Sequence, residues 1–183
     1  MKIGIAGTHS TGKTSFLDAL SAAFEARGLR VARVTDVARE ARDLGFPILR
    51  SHTFESTLWI MTRCITKQLE AGLSADVVLV DRPALDAVGY LYAALEHRGE
   101  QLSSEHERIL LDLAKHDAST YDALCRTELD PTIPLGEGRD PDLNFRAAAA
   151  RQIDGVFARL ELTPRAVAAG RATTMVSELV GAA

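Results

Sequence analysis

The octapeptide Gly7-Thr8-His9-Ser10-Thr11-Gly12-Lys13-Thr14 limits what this chain can fold into more than any other stretch of its 183 residues. It fits the pattern G-x-x-x-x-G-K-[ST]. Glycines let the backbone curl until several N–H groups line one anion-sized hollow. Lys13 can then reach the β- and γ-phosphates of a nucleoside triphosphate, and the Thr14 hydroxyl can hold Mg²⁺. Such a loop belongs between a strand and a helix whose positive dipole end faces the phosphates. The flanks supply both. Lys2 to Ala6 is a short apolar run that reads as a strand. Residues 13–27 switch to helical period, with Phe16, Leu17, Leu20 and Phe24 on one face, and Gly28 follows as a terminator.

The alternation continues along the chain. Leu29 to Val34 reads as a second strand, and Asp36 to Leu44 as a short helix stopped by Gly45-Phe46-Pro47. Residues 53–71 keep helical period through Phe54, Leu58, Met61, Ile65 and Leu69, with Gly72 closing the pattern. The run Asp76-Val77-Val78-Leu79-Val80-Asp81 has no polar interruption between its aspartates, as suits a strand covered on both faces of a parallel sheet. Pro83 fits the first turn of the next helix, whose apolar face is Leu85, Val88, Tyr92 and Leu95. Ser104-Glu105-His106-Glu107 fits a capping box ahead of Ile109, Leu110 and Leu113. Tyr121 to Cys125 predicts a fourth strand, residues 144–160 a helix, Pro164 to Ala168 a last strand and Arg171 to Val180 a last helix. Pro131, Pro134, Gly136, Gly138 and Pro141 punctuate the stretch after the fourth strand, which predicts a lid over about residues 127–146. The expectation is one α/β domain with a largely parallel sheet.

Composition agrees with that class and removes others. Apolar residues make up 46% and charged residues 25%, which fits a globular core and argues against disorder. No apolar run is long enough for a membrane span, and the start is too short for a signal-peptide core. A net charge of −4 argues against nucleic acid as a partner. Cys64 and Cys125 have no C-x-x-C spacing and read as two buried thiols in a reducing compartment, so the expected location is cytoplasmic.

A phosphate loop needs a second acidic group for its metal. Asp81 ends the buried third strand, at the carboxyl edge where ligands bind in open α/β sheets, so Thr14 and Asp81 are the candidate Mg²⁺ ligands. The alternative for Asp81 is a cap on the helix beginning at Pro83. Arg82 beside it either clamps a phosphate or substrate hydroxyl or is a surface arginine. Asp36 ends the second strand at the same edge. It is either the carboxylate that handles the proton of an acceptor hydroxyl or an N-cap. Arg39, one turn on, either contacts substrate or is solvated. Arg126, Arg139 and Arg146 flank or occupy the lid and can neutralise a moving phosphoryl group, or each is solvated. Trp59 and Tyr90 either stack on a nucleobase or belong to the core. His9 fills the loop. The set expected to bind nucleotide is Gly7, Thr8, His9, Ser10, Thr11, Gly12, Lys13, Thr14 and Ser15, with Arg126.

Taken together these residues have a family look. Gly7 to Thr14 resembles the Walker A loop of P-loop nucleoside triphosphatases. With Thr35-Asp36-Val37-Ala38-Arg39 and Asp81-Arg82-Pro83-Ala84-Leu85-Asp86, the chain resembles the small kinase group that holds the ribosylnicotinamide kinase domain of NadR-type proteins and their AAA-labelled relatives. Pro134-Leu135-Gly136-Glu137-Gly138-Arg139-Asp140 is similar to their lid segment. The resemblance implies a three-layer fold with a five-stranded parallel sheet, ATP with Mg²⁺, and phosphorylation of a nucleoside-like hydroxyl. It implies that Lys13 and Thr14 bind ATP·Mg²⁺, that Asp81 and Arg82 form the Asp-Arg pair after the third strand, and that Asp36 occupies an acidic position, commonly glutamate, that handles the acceptor. Small kinases of this kind often pair, so the resemblance leaves room for a homodimer, while the residues themselves are silent on oligomeric state.

The function expected is therefore a kinase carrying the γ-phosphoryl of ATP to a nucleoside-like hydroxyl, with Lys13, Asp36, Asp81, Arg82 and Arg139 as catalytic candidates. Asp36, Arg39, Trp59 and Arg82 are the candidates for acceptor binding. Two alternatives are a regulatory ATPase or nucleotide switch and a nucleoside monophosphate kinase. A GTPase would need an N-K-x-D base reader, and the single asparagine, Asn144, precedes Phe145. The string Asp86-Ala87-Val88-Gly89 fits D-x-x-G but falls within a predicted helix.

Overall fold

The computed structural model describes residues 1–8, 11–128, 142–167 and 172–181. In chain order these form β1 (Lys2–Ala6), α1 (Lys13–Glu25), β2 (Val31–Val34), α2 (Val37–Asp43), α3 (Phe54–Gly72), β3 (Val77–Asp81), α4 (Ala84–Arg98), α5 (Ser104–Ala118), β4 (Ala123–Thr127), α6 (Leu143–Arg159), β5 (Arg165–Val167) and α7 (Ala172–Gly181). A single 3₁₀ turn, Leu49–Ser51, lies between α2 and α3.

The apolar runs Lys2 to Ala6 and Val77 to Val80 make β1 and β3, two of the three strands with neighbours on both sides. The sheet order is β2-β3-β1-β4-β5, and every pairing is parallel. Ile3 lies opposite both Leu79 and Ala123, so β1 is the central strand. The order reverses between β3 and β1, and in open parallel sheets ligands bind outside the carboxyl ends at that point.

Strand alternation splits the core in two. Ile3, Ile5, Val77, Leu79, Ala123 and Cys125 face α1 and α7, where Phe16, Leu17, Leu20, Phe24, Met175 and Val176 cover them. Val34, Val78 and Val80 face the opposite layer, built from α2 to α6. Gly4 lies on that second face because nothing larger fits. A Cβ there would lie 2.7 Å from Pro83 Cγ and 2.8 Å from Tyr121 Cε1.

Several expected boundaries move for identifiable reasons. The fourth strand begins at Ala123, not Tyr121. The Tyr121 ring is spent under Gly4, and Asp122 Oδ2 accepts the Lys2 N–H at 2.7 Å. It continues to Thr127, and α6 begins at Leu143, so both ends of the expected 127–146 lid are regular structure. The α5 cap is Ser103, whose hydroxyl accepts the His106 N–H, one residue before the expected box. Helix α4 has no single apolar face. It is buried almost all round because α3, α5 and α6 all pack on it. Tyr92, expected on that face, is half-buried and donates its hydroxyl proton to Glu107 at 2.8 Å. Gly89 is the close-approach point to α6, so the D-x-x-G string is a helix contact rather than a switch element.

Candidate active site

The phosphate loop leaves β1 through Gly7, whose φ of 138° is a conformation L side chains rarely adopt. A Cβ on Gly7 would stand 2.3 Å from Thr127 Oγ1. The loop re-enters helix at Gly12, which caps α1 in the left-handed region with no side-chain bond. Lys13 is only 5% exposed. Its Nζ donates to the Thr8 carbonyl and, at 3.3 Å, to Thr11 Oγ1. Thr11 Oγ1 is 2.7 Å from Thr127 Oγ1, and Thr127 donates to the Ala6 carbonyl at 3.2 Å. A hydroxyl relay therefore ties the loop to the end of β4. Thr14 and Ser15 are exposed at the start of α1.

One cleft of about 420 Å³ gathers the chemistry. Its walls include Thr11 to Ser15 of the loop, Asp36 and Arg39 after β2, and Asp81, Arg82 and Asp86 after β3. Leu49 and His52 of the 3₁₀ region and Tyr90 of α4 complete it. Its backbone is strained. Among the described residues four non-glycine residues have positive φ, and three of them line this cleft: Asp36 at 64°, Leu49 at 56° and Arg82 at 68°. Left-handed backbone in ordinary residues costs about 1–3 kcal/mol each and persists where the surroundings impose it, characteristically at functional sites.

Buried oxygens without partners gather at the same place. Thr8 Oγ1, Asp81 Oδ1 and Asp86 Oδ1 are the buried side-chain N or O atoms lacking a hydrogen bond among the described residues. An unpaired buried carboxylate oxygen is costly, and a cation or a bound water relieves that cost. Thr14 and Asp81 offer oxygen-only donors, the set that hard Mg²⁺ prefers, so the residues present fit that ion.

Asp86 is a site residue that the sequence reading did not single out. It is 2% exposed, and its Oδ2 accepts the Gly7 N–H at 2.9 Å. Burial pushes its carboxyl up to about 6, against the opposing pull of Arg82, the Gly7 N–H, Lys13 and Arg126. The signal available was spacing. With Pro83 at the helix cap, Asp86 falls in the first turn of α4, beside the edge that Asp81 occupies. His52 was also missed. It is buried, with Nδ1 3.0 Å from the Leu49 carbonyl, and burial lowers its pKa to about 4, helped by the Arg98 and Arg82 charges. Nothing in the residue pattern marks it, because the 3₁₀ turn that seats it is set by Arg98, which donates to the carbonyls of Arg50 and His52.

The remaining candidates divide clearly. Arg82 carries its guanidinium 5.1 Å from the Tyr90 ring centroid. Burial penalises that charge, but Tyr90, Asp81 and Asp86 together outweigh the penalty and raise its pKa. Asp36 sits at the N-cap position of α2 without a side-chain cap bond. Its carboxylate is 53% exposed and pairs with Arg39 at 3.3 Å. Trp59 does not line the cleft. Its ring packs on Phe46 at 5.2 Å, against the edge of the hydrophobic core. Arg126 is also outside the lining. Its guanidinium bonds Asp154 at 2.8 Å and the carbonyls of Thr127 and Ala150, directly behind Gly7, where it braces the loop. Arg146 is buried in α6 rather than on a lid. His9, Ser10 and Arg139 lie outside the described residues.

A phosphate loop between β1 and α1, an Asp-Arg pair after β3 and this strand order define the P-loop kinase fold. The chain belongs to the AAA domain family, whose model matches residues 2–170. No curated protein matches the sequence significantly. Among solved structures the chain is similar to the deoxyadenosine kinase of M. mycoides bound to dCMP and dCDP (TM-score 0.68, 13% identity, all of both chains covered). The same enzyme bound to dATP gives a TM-score of 0.62 at 13% identity over 99% of both chains. It is also similar to the NadR protein in complex with NR (TM-score 0.67, 16% identity), covering 98% of this chain and 51% of that one. This chain thus spans about half of that protein. Among the described residues no helix is long and apolar enough to cross a membrane.

Proposed function

We propose that this chain is a kinase that moves the γ-phosphoryl group of ATP, with Mg²⁺, to a hydroxyl of a nucleoside or nucleoside-like acceptor. One observation carries the reading: a single cleft is lined by the phosphate loop, the Asp81-Arg82 pair and the Asp36-Arg39 pair. A nucleotide switch has no use for a cleft that runs on from its phosphate loop to apolar walls at Ile48, Leu49 and Ile60, whereas an acceptor does. The cited neighbours, solved with nucleotides or with NR, support the same class of ligand.

The roles follow from position. Lys13 swings from the Thr8 carbonyl to the β- and γ-phosphates, its carbonyl bond being what a triphosphate replaces. Thr14 and Asp81 hold the metal, which offsets charge on the transferring group. Arg82, fully charged and set against Tyr90, steadies the phosphoryl group and the acceptor hydroxyl. Asp36 accepts the hydroxyl proton, with Arg39, 3.3 Å away, orienting it.

ATP consumption with and without a panel of nucleosides tests this. Acceptor-dependent ADP release with a phosphorylated product is expected. Slow turnover indifferent to every acceptor would instead indicate a regulatory ATPase and overturn the kinase reading. Demand for an acceptor that already carries a phosphate would indicate a nucleoside monophosphate kinase.

A further inference from the structure

We infer that His52 is a specificity-determining residue whose Nε2 accepts a hydrogen bond from an N–H group on the ring edge of the acceptor, so that amino-bearing bases are selected. The inference rests on the acceptor site proposed above and names the class of base it takes. A carbonyl oxygen only accepts, so the 3.0 Å contact between Nδ1 and the Leu49 carbonyl places the ring proton on Nδ1. Nε2 is left with a lone pair. Among the described residues it has no hydrogen-bond partner, yet it is not one of the buried atoms sealed away without one. His52 lines the cleft, and with Nδ1 committed to the Leu49 carbonyl the Nε2 edge is the polar edge of the ring left to face a ligand there.

The surroundings hold this arrangement. Arg98 fixes the His52 carbonyl at 2.9 Å and the strained Leu49 anchors the turn beneath the ring. With its pKa lowered to about 4, the imidazole stays neutral across the physiological range and never becomes a donor at Nε2. Tyr90 lies 6.0 Å away at 33°, and Ile48, Leu49 and Ile60 supply apolar walls suited to a flat ring. A buried acceptor left unpaired by a ligand lacking the matching donor is the discriminating element in such sites.

The test compares matched nucleosides that differ by one amine, adenosine against purine riboside and cytidine against pyrimidin-2-one riboside. Wild-type protein is expected to favour the amino member of at least one pair by about 10–100-fold in kcat/KM. His52→Phe should erase the preference by raising KM for the amino member while kcat stays within about threefold. His52→Gln, whose amide oxygen can stand near Nε2, should restore it. An equal loss for both members in either variant, or no preference in wild type, overturns the inference. Nitrogen-15 NMR of the His52 ring supplies a readout independent of turnover. Saturable movement of the Nε2 resonance with the amino nucleoside alone supports it, and no movement with any nucleoside overturns it. Movement at His52 without acceptor-dependent ADP release would overturn the kinase reading but leave this recognition standing.

Discussion

The backbone N–H of Gly7 donates to Asp86 Oδ2 at 2.9 Å, across 79 residues of sequence. This bond ties the entry of the phosphate loop to the first turn of α4, and it leaves Asp86 Oδ1 buried and unpaired beside the phosphate site. Asp86→Ala removes the acceptor and strands a buried N–H, which costs about 1–3 kcal/mol. Asp86→Asn keeps a carbonyl oxygen for Gly7. The expected outcome is a lower urea midpoint and weaker ATP binding by calorimetry for the alanine variant. Below pH 3.8, where the wild-type side chain is protonated folded and unfolded alike, the asparagine variant should hold the wild-type midpoint. Equal midpoints for alanine and wild type would remove Asp86 from the loop's support.

Lys13, Asp81 and Asp36 occupy three different positions around the expected phosphoryl path, so their variants should fail differently. Lys13→Ala should lose turnover by about 10³-fold or more if Lys13 takes the proposed place on the β- and γ-phosphates. Asp81→Ala should lose turnover together with the Mg²⁺ dependence of ATP binding. Asp36→Asn should retain ATP affinity and lose transfer by about 10²–10⁴-fold. Single-turnover phosphoryl transfer alongside calorimetry separates the three. A normal transfer rate in Asp36→Asn would show that another group takes the acceptor proton.

The sheet and the loop were legible because each depends on local pattern. The Val77 to Val80 run is apolar on both faces, and such a run has few homes outside a covered parallel strand. Asp81 and Asp36 followed from those strands, since a residue just past a parallel strand emerges at the ligand edge. What escaped depended on packing between distant segments. Asp86 becomes a loop ligand only because β1 lies next to β3. His52 enters the cleft only because Arg98 of α4 pins a turn 46 residues earlier. Trp59 and Arg126 point the other way. Their residue types suit a nucleotide site, but Phe46 claims the indole and Asp154 claims the guanidinium.

Two buried groups should give the folding stability opposite slopes with pH. His52 has a folded pKa of about 4 against 6.5 for the ordinary residue, so unfolding takes up a proton between those values. Its contribution is present above pH 6.5 and is lost as pH falls towards 4. Asp86 has a folded pKa of about 6 against 3.8, so the folded chain holds its proton more tightly. That contribution is present below pH 3.8 and is lost as pH rises through 6. Each slope spans up to about 3 kcal/mol. Urea midpoints between pH 4 and 6.5 should therefore fall with rising pH in His52→Phe and rise with it in Asp86→Asn, each relative to wild type. Parallel curves for all three proteins would mean that neither group titrates as its burial dictates.

Gly89 concerns stability apart from chemistry. Helices α4 and α6 meet there so closely that an added Cβ would lie 2.5 Å from Ile153 Cγ1 and 2.9 Å from the Ile153 Cα and backbone N. A flexible side chain could yield, but the two backbone atoms belong to a helix whose next turn is buried through Val156 and Phe157. Helix propensity alone would favour alanine by about 1 kcal/mol. Overpacking a close helix contact typically costs about 1–3 kcal/mol, so the contact wins and Gly89→Ala should destabilise. A Tm drop of several degrees is expected by calorimetry, since about 1 kcal/mol moves Tm by roughly 2–4 °C in a domain of this size. Truncating the partner in Gly89→Ala/Ile153→Ala leaves the backbone contacts at 2.9 Å in place, so the double variant should recover only part of the loss. Full recovery would locate the clash in the Ile153 side chain, and a Gly89→Ala protein more stable than wild type would show that α6 shifts freely away from α4.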